Sequence, residues 1–248
     1  MKLKVLTVMI LSLFVLTGCQ NQPSTHEQKI KTEQRNKTIR TNQKKWNKKL
    51  KNIKVLDQNE FKNAFVKIPN GYDDESTSLK NLKNGNKYLI KGQLIDLEGM
   101  IGRPIAPETE ATIYVSKVIS GDKKLQGKTI KTVFAGGLTK GKYLYSDYGI
   151  KNRQETIYYP RATFPMPQIG SQLIMGIGNY HPDSTQQEKM YKKFGLSQNN
   201  FYTINNPETT FWVKTNGKYQ INNPAFNNSA AKHKFKNIYK LTDKFNQQ

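Results

Sequence analysis

The first eighteen residues combine two lysines with an uncharged, largely apolar stretch. Lys2 and Lys4 precede the stretch from Val5 to Leu16, in which only Thr7 and Ser12 are polar. An apolar run of about a dozen residues is too short to cross a bilayer, which needs about 20. Its length and its charged start are typical of the hydrophobic region of a signal peptide. The pattern predicts that residues 1–18 are an export signal.

The apolar stretch ends in a short motif that surrounds the single cysteine. Leu16-Thr17-Gly18-Cys19 resembles the lipobox of bacterial lipoproteins. The resemblance implies cleavage before Cys19 and attachment of diacylglycerol and palmitate to that residue, because a thiolate is a strong nucleophile. The implied location is the extracytoplasmic face of the cell membrane. The alternatives are an ordinary signal peptide with a chance cysteine and an uncleaved anchor.

Polar and basic residues dominate the segment that follows the motif. Residues 19–43 contain few apolar side chains and predict a tether that is disordered or weakly helical. Trp46, Leu50 and Ile53 then lie on one helical face and predict a helix over about 43–54. This helix could lie at the lipid headgroups or pack on its own domain, and packing is favoured because its apolar face is narrow. A capping-box pattern predicts a second helix over about 58–66, within a helical segment 44–67.

Alternation of apolar and polar residues replaces the helical period from about residue 87. The alternation predicts strands over 88–97, 111–119, 128–134, 172–177, 209–214 and 218–221. Gly92 predicts a bulge, and Asn216-Gly217 predicts a tight hairpin. The chain ends in a predicted helix over 230–245.

These elements together predict a β-rich (α+β) fold. The order of strands and turns favours a small, partly closed antiparallel barrel of the oligonucleotide/oligosaccharide-binding (OB-like) type. Short N-terminal helices and a C-terminal helix complete it, and the whole β-rich domain is expected over 68–245. A fold of this kind hosts many functions and indicates none by itself.

The charge of the chain changes the expected partners. Forty Lys and Arg face 18 Asp and Glu, which gives a net charge of +22, or +20 once Lys2 and Lys4 are removed with the leader. Such a field attracts polyanions. For an exported protein this predicts anionic wall polymer, anionic lipid or extracellular DNA, and intracellular nucleic acid is not expected. The alternative is a lysine-rich surface that arose by compositional drift.

Residues that would support catalysis are sparse. The three histidines are His26 in the tether, His181 in a turn and His233 in a basic helix. His181 stands near Asp183, but no nucleophile motif, phosphate loop or Cys-rich metal motif accompanies it. The chain is therefore interpreted as non-enzymatic, with no cofactor and no metal.

The segment 143–167 is unusually rich in aromatic and basic residues. Aromatic rings interleaved with arginines can stack on sugars or bases and bind phosphates. The binding candidates in this segment are Arg153, Tyr158, Tyr159, Arg161 and Phe164. The alternative is that these rings pack against the domain.

Three functional hypotheses follow from these patterns. The first is a lipid-anchored, non-enzymatic lipoprotein whose basic domain binds an anionic envelope component. The second is a protein-interaction module that uses the segment 143–167 to bind another envelope protein. A solute-binding component of a transporter is third, because the chain is short of a second lobe.

Overall fold

The computed structural model describes residues 25–56, 74, 78–102, 107–145 and 154–247. The predicted signal peptide, the motif that resembles a lipobox and Cys19 lie outside the described residues. The helix predicted over 58–66 lies outside them as well. None of the described helices is long and apolar enough to cross a membrane.

The described elements alternate between strands and short helices. The helices are α1 (Thr25–Leu50), α2 (Leu79–Gly85), α3 (Gly141–Tyr145), α4 (Thr185–Lys192), α5 (Ser229–Lys234) and α6 (Lys236–Asn246). The strands are β1 (Lys54–Val55), β2 (Tyr88–Gly99), β3 (Glu108–Ser120), β4 (Thr129–Ala135), β5 (Gly137–Lys140), β6 (Thr156–Tyr159), β7 (Gln172–Asn179), β8 (Tyr202–Ile204), β9 (Phe211–Thr215) and β10 (Lys218–Ile221). The α+β, strand-rich prediction is confirmed.

The main sheet is antiparallel and has the order β10-β9-β7-β2-β3-β4, with β8 paired to β7. Its centre is β2, which pairs with both β3 and β7. The predicted bulge is present, because the register of β2 against β3 shifts between Lys91 and Gly92. A Cβ at Gly92 would stand 2.6 Å from Cγ2 of Ile113, so the bulge requires glycine.

Two buried clusters cover the two faces of the main sheet. One contains Ile90, Ile113 and Phe211 together with residues of α1. The other contains Leu89, Ile174 and Trp212, which the C-terminal helices cover. The predicted C-terminal helix is two helices, because Phe235 between them has φ −115° and ψ 57° and is not helical.

A small second sheet has the order β1-β6-β5. Strand β6 belongs to the aromatic segment 143–167, for which no strand was predicted. It pairs antiparallel with β5 and parallel with β1. The aromatic segment is therefore partly built into a sheet, because backbone groups in a packed segment must find hydrogen-bond partners.

The N-terminal helix differs most from its prediction. Helix α1 begins at Thr25, so much of the segment predicted as a tether, residues 25–43, is helical and the helix predicted over 43–54 starts too late. Ile39 and Trp46 are only 8% and 7% exposed and belong to the buried cluster that lies under β2. Asn42 Nδ2 also donates to the carbonyl oxygen of Ile95 at 3.2 Å. The packing alternative for Trp46 is confirmed, and the placement of its ring at lipid headgroups is wrong.

Replacement of Trp46 tests whether α1 is an integral part of the domain. We expect Trp46→Ala to lower the free energy of unfolding by about 3 kcal/mol, the usual cost of removing a buried aromatic side chain. Urea denaturation followed by circular dichroism measures it. The matched control is Ile30→Ala on the same helix, where the side chain is 41% exposed and the loss should stay below about 0.5 kcal/mol. Equal small losses in both variants would contradict the docking of α1.

Candidate functional site

The predicted aromatic binding residues do not converge in the structure. Tyr158 and Tyr159 are neighbours in β6, and successive strand residues point to opposite faces. Tyr158 packs against the main core, and burial raises the pKa of its hydroxyl. Tyr159 packs instead on Leu56 and Ile157. The two tyrosines therefore do not form one aromatic surface.

The remaining candidates of that segment are also divided. Phe164 is 2% exposed, and its ring centre lies 5.5 Å from that of Phe134 and 4.8 Å from that of Phe211. Its role in the structure is core packing. Arg161 is exposed and its Nε donates to Oγ1 of Thr163 at 3.4 Å. Arg153 lies outside the described residues.

A different cluster of cations lies where α1 crosses the bulge of β2. A cleft of about 390 Å³ opens between these elements. The residues that line it are Arg35, Lys91, Gly92, Gln93, Tyr114, Ser116, Lys117 and Gln172. Every ionisable group in this lining other than the Tyr114 hydroxyl is a cation. We call this site the basic cleft.

Three contacts hold the Arg35 side chain in the basic cleft. Its guanidinium carbon lies 4.0 Å from the centre of the Tyr114 ring, within range of a cation–π interaction. Its Nε donates to Oε1 of Gln93 at 3.2 Å, and Gln93 Nε2 donates in turn to the Gly170 carbonyl at 3.4 Å. One terminal nitrogen reaches Oγ1 of Thr32 at 3.4 Å. Since a guanidinium has five N–H donors, these bonds leave donors for an anion.

Lysines crowd the other side of the basic cleft. Lys91 on β2 and Lys117 on β3 are directly paired across the strands. Lys214 is close as well, because the Lys91 and Lys214 ammonium groups lie 5.4 and 5.7 Å from the centre of the Tyr219 ring. Burial lowers the pKa of Lys91, and the charges of Lys214 and Lys117 lower it further. Partial burial also raises the pKa of Tyr219 to about 12, so this ring stays neutral.

No described carboxylate neutralises these four cations. The ion pairs of the described residues lie elsewhere, such as Lys131–Glu110 at 2.7 Å and Lys49–Glu98 at 3.9 Å. Like charges placed directly opposite each other in a sheet are destabilising. An arrangement that is unfavourable in the free protein becomes favourable when an anion binds, so the basic cleft can hold a phosphate or carboxylate group.

A second cleft, of about 500 Å³, contains His181 and Asp183. Gln187 donates to Asp183 Oδ2 at 3.2 Å, and Tyr191 donates to Glu108 Oε2 at 2.9 Å. The described residues that line it include no cysteine, serine or lysine, although the hydroxyl-bearing Thr203 is among them. Within the described ranges no three His, Cys, Asp or Glu side chains gather as metal ligands.

Comparison of the chain with known protein families, with curated proteins and with solved structures finds no match. The geometry of the basic cleft is therefore the argument for function. Sequence reasoning missed this site, although it found the excess of positive charge. The tether prediction covers Arg35, and Lys91 and Lys117 are 26 positions apart with no sequence signal that pairs them.

Removal of one charge from the basic cleft should stabilise the free protein. We expect Lys117→Gln to raise the free energy of unfolding by about 0.5 kcal/mol, because it relieves a like-charge cross-strand pair. The pKa of Lys91 should rise towards its ordinary value of 10.5, since one of the charges that lower it is gone while burial remains. Denaturant titration at low salt measures the first effect, and NMR titration of the lysine side chain measures the second.

The control for this prediction is Lys232→Gln on α5, which changes an exposed lysine outside the basic cleft. It removes the same charge from the same chain. Destabilisation by Lys117→Gln, or an equal gain in the control, would show that the cleft lysines do not repel one another appreciably.

Proposed function

We propose that this chain is a lipoprotein, anchored by lipid on Cys19 at the extracytoplasmic face of the cell membrane, and that its domain binds an anionic component of the envelope. The proposal is for a non-enzymatic protein. The observation that carries it is the basic cleft, where Arg35, Lys91 and Lys117 gather, with Lys214 beside them, without a described carboxylate partner. The lipobox supports the anchor.

The main sheet is proposed to be a partly closed barrel of the OB-like type. One contact supports closure: the Lys131 N–H donates to the Asn200 carbonyl at 3.1 Å, and Lys131 forms an isolated bridge with Phe201. This bridge joins β4 to the segment that precedes β8. Strand β8 pairs in turn with β7. Barrels of this type present one open face to ligands.

The anchor is tested by metabolic labelling of the full-length chain with radioactive palmitate in a bacterium. We expect label in the natural chain and none in Cys19→Ser, because the thiol is the only side chain of its kind in the sequence. The matched control is Cys19→Ser combined with Ser24→Cys, which restores a thiol five residues away. Label in this control would show that acylation does not depend on the lipobox.

Anion binding is tested by reversing two charges of the basic cleft. We expect the double variant Lys91→Glu/Lys117→Glu to bind isolated anionic wall polymer or phosphatidylglycerol vesicles at least about tenfold more weakly, because charge-assisted contacts are lost and repulsion replaces them. Binding of the natural protein should also weaken steeply with added salt. Sedimentation of the mature chain with Cys19→Ser, which cannot carry the lipid that would hold every variant on the vesicles, measures both effects.

The control for charge reversal is Lys232→Glu/Lys240→Glu on the C-terminal helices. Both lysines are exposed, and the pair changes the net charge by the same amount. A diffuse positive field predicts equal losses in the two double variants. A site predicts a large loss only in the cleft variant, so equal losses would count against the basic cleft and in favour of compositional drift.

A further inference from the structure

The start of α1 limits how far the domain can stand from a lipid on Cys19. Helix α1 begins at Thr25, six residues after the cysteine. A chain reaches at most about 3.5 Å per residue, so these six steps span no more than about 21 Å. A fully extended segment over 19–43 would have reached about 85 Å. With α1 helical, residue 43 lies no more than about 48 Å from Cys19, which is six extended steps and 18 helical residues, so the helix removes about two fifths of the expected reach.

The basic cleft lies near the anchored end of the domain. Arg35 follows Thr25 by ten residues, which is about 15 Å along a helix. Between them α1 is exposed and carries two lysines and two glutamates, so this stretch has no net formal charge with histidine neutral. Lys31 and Glu27 form an ion pair, with 2.6 Å between Nζ and Oε1. The first cation beyond this neutral stretch is Arg35, which lines the basic cleft.

We propose that the ligand of the basic cleft is the phosphate of an anionic lipid headgroup in the membrane that carries the anchor. The domain would then lie against its own membrane, with α1 close to the surface. This inference rests on the proposed function, since it needs both the lipid on Cys19 and an anion at the cleft. It adds the chemical class of the ligand and the side of the domain that faces the lipid.

Because the segment between Cys19 and α1 is short, a low intrinsic affinity of the basic cleft for lipid is sufficient for docking. A ligand site tied to its target by a short linker meets it at an effective concentration in the millimolar range. Each lysine or arginine side chain near an anionic membrane strengthens membrane binding roughly fivefold. Three or four such side chains therefore give an affinity that matches a millimolar effective concentration. Screening confines this attraction to about 8 Å at physiological ionic strength, so the cleft must come to the surface.

The groups at the cleft match a headgroup phosphate. Arg35 offers donors fixed in a plane by the Tyr114 ring, and guanidinium groups bind phosphate oxygens in pairs. Lys91 and Lys117 supply point charges on the facing strands. Tyr114 is partly buried beside them and has an amphipathic ring, the kind of side chain that suits a membrane interface.

The test measures the distance between the basic cleft and the lipid surface. Cys19 is the sole cysteine, so Asn36→Cys introduces one reactive thiol on the exposed side of α1 next to Arg35. A fluorophore on this thiol reports energy transfer to acceptor-labelled headgroups when the lipidated, full-length mature protein is reconstituted in vesicles. The two vesicle types contain phosphatidylcholine alone or phosphatidylcholine with phosphatidylglycerol.

We expect higher energy transfer in the phosphatidylglycerol vesicles. In the variant that also carries Lys91→Glu/Lys117→Glu, the ratio of docked to undocked protein should fall by at least about tenfold. High salt, about 1 M, should abolish the difference between the vesicles, because screening then acts within about 3 Å. The control Lys232→Glu/Lys240→Glu should keep the difference, which separates a site from the net charge.

Three results would overturn the inference. Equal transfer in both vesicle types would show that the anchor alone sets the distance. Binding of wall polymer at the cleft without docking on phosphatidylglycerol vesicles would assign the cleft to polymer, and the proposed function would stand. Labelling of two thiols would show that Cys19 is not acylated, which removes the anchor itself.

The readout does not depend on the stability of one variant. The milder pair Lys91→Gln/Lys117→Gln removes charge without adding a carboxylate, and circular dichroism checks the fold of each protein. The dependence of energy transfer on salt and on lipid, measured in the protein with its natural cleft residues, needs no cleft variant. Absence of any dependence on salt or lipid would overturn the inference without a cleft variant.

Discussion

The docking of α1 on β2 through Ile39 and Trp46 is the contact on which the rest of the proposed site depends. A helix this rich in lysine has little reason to form alone, because like charges repel along its surface and most helical stability in proteins comes from packing. The two buried side chains supply that packing. By fixing the helix, they also bring Arg35 over the Tyr114 ring and so complete the basic cleft.

The basic cleft has an unfavourable electrostatic arrangement in the free protein, because two lysines face each other across β2 and β3. Lysines gained by drift are expected on exposed positions, where an unpaired charge is solvated and nearly neutral in free energy. Lys91 is partly buried, faces Lys117 across the strands and has no described counter-ion. Groups held in an unfavourable electrostatic arrangement are characteristic of functional sites. The excess of charge along the chain is therefore less informative than the place where it is concentrated.

The sequence predicted the strands better than the helices. Alternation over 88–97 and the Asn216-Gly217 turn describe local geometry, and the turn has positive φ at both residues, 50° and 81°. Helix α1 was misjudged because Ile39 and Trp46 are seven residues apart in a polar stretch and need a sheet to bury them. The basic cleft could not be found because Arg35 and Lys91 are 56 positions apart, and only the tertiary fold brings them together.

One helix thus controls two quantities that the sequence treats as separate. Its buried end determines where the cations are held, and its first residue determines how much chain is left to span the distance to Cys19. A longer unpacked segment would raise the reach and lower the effective concentration of any surface that the cleft could meet. Because α1 is packed on the domain from Arg35 onward, the domain can move less far from Cys19 and stays closer to it. Under the proposed lipid anchor on Cys19, such a domain suits a partner near the membrane surface, since a more distant partner would need the chain length that the helix has taken up.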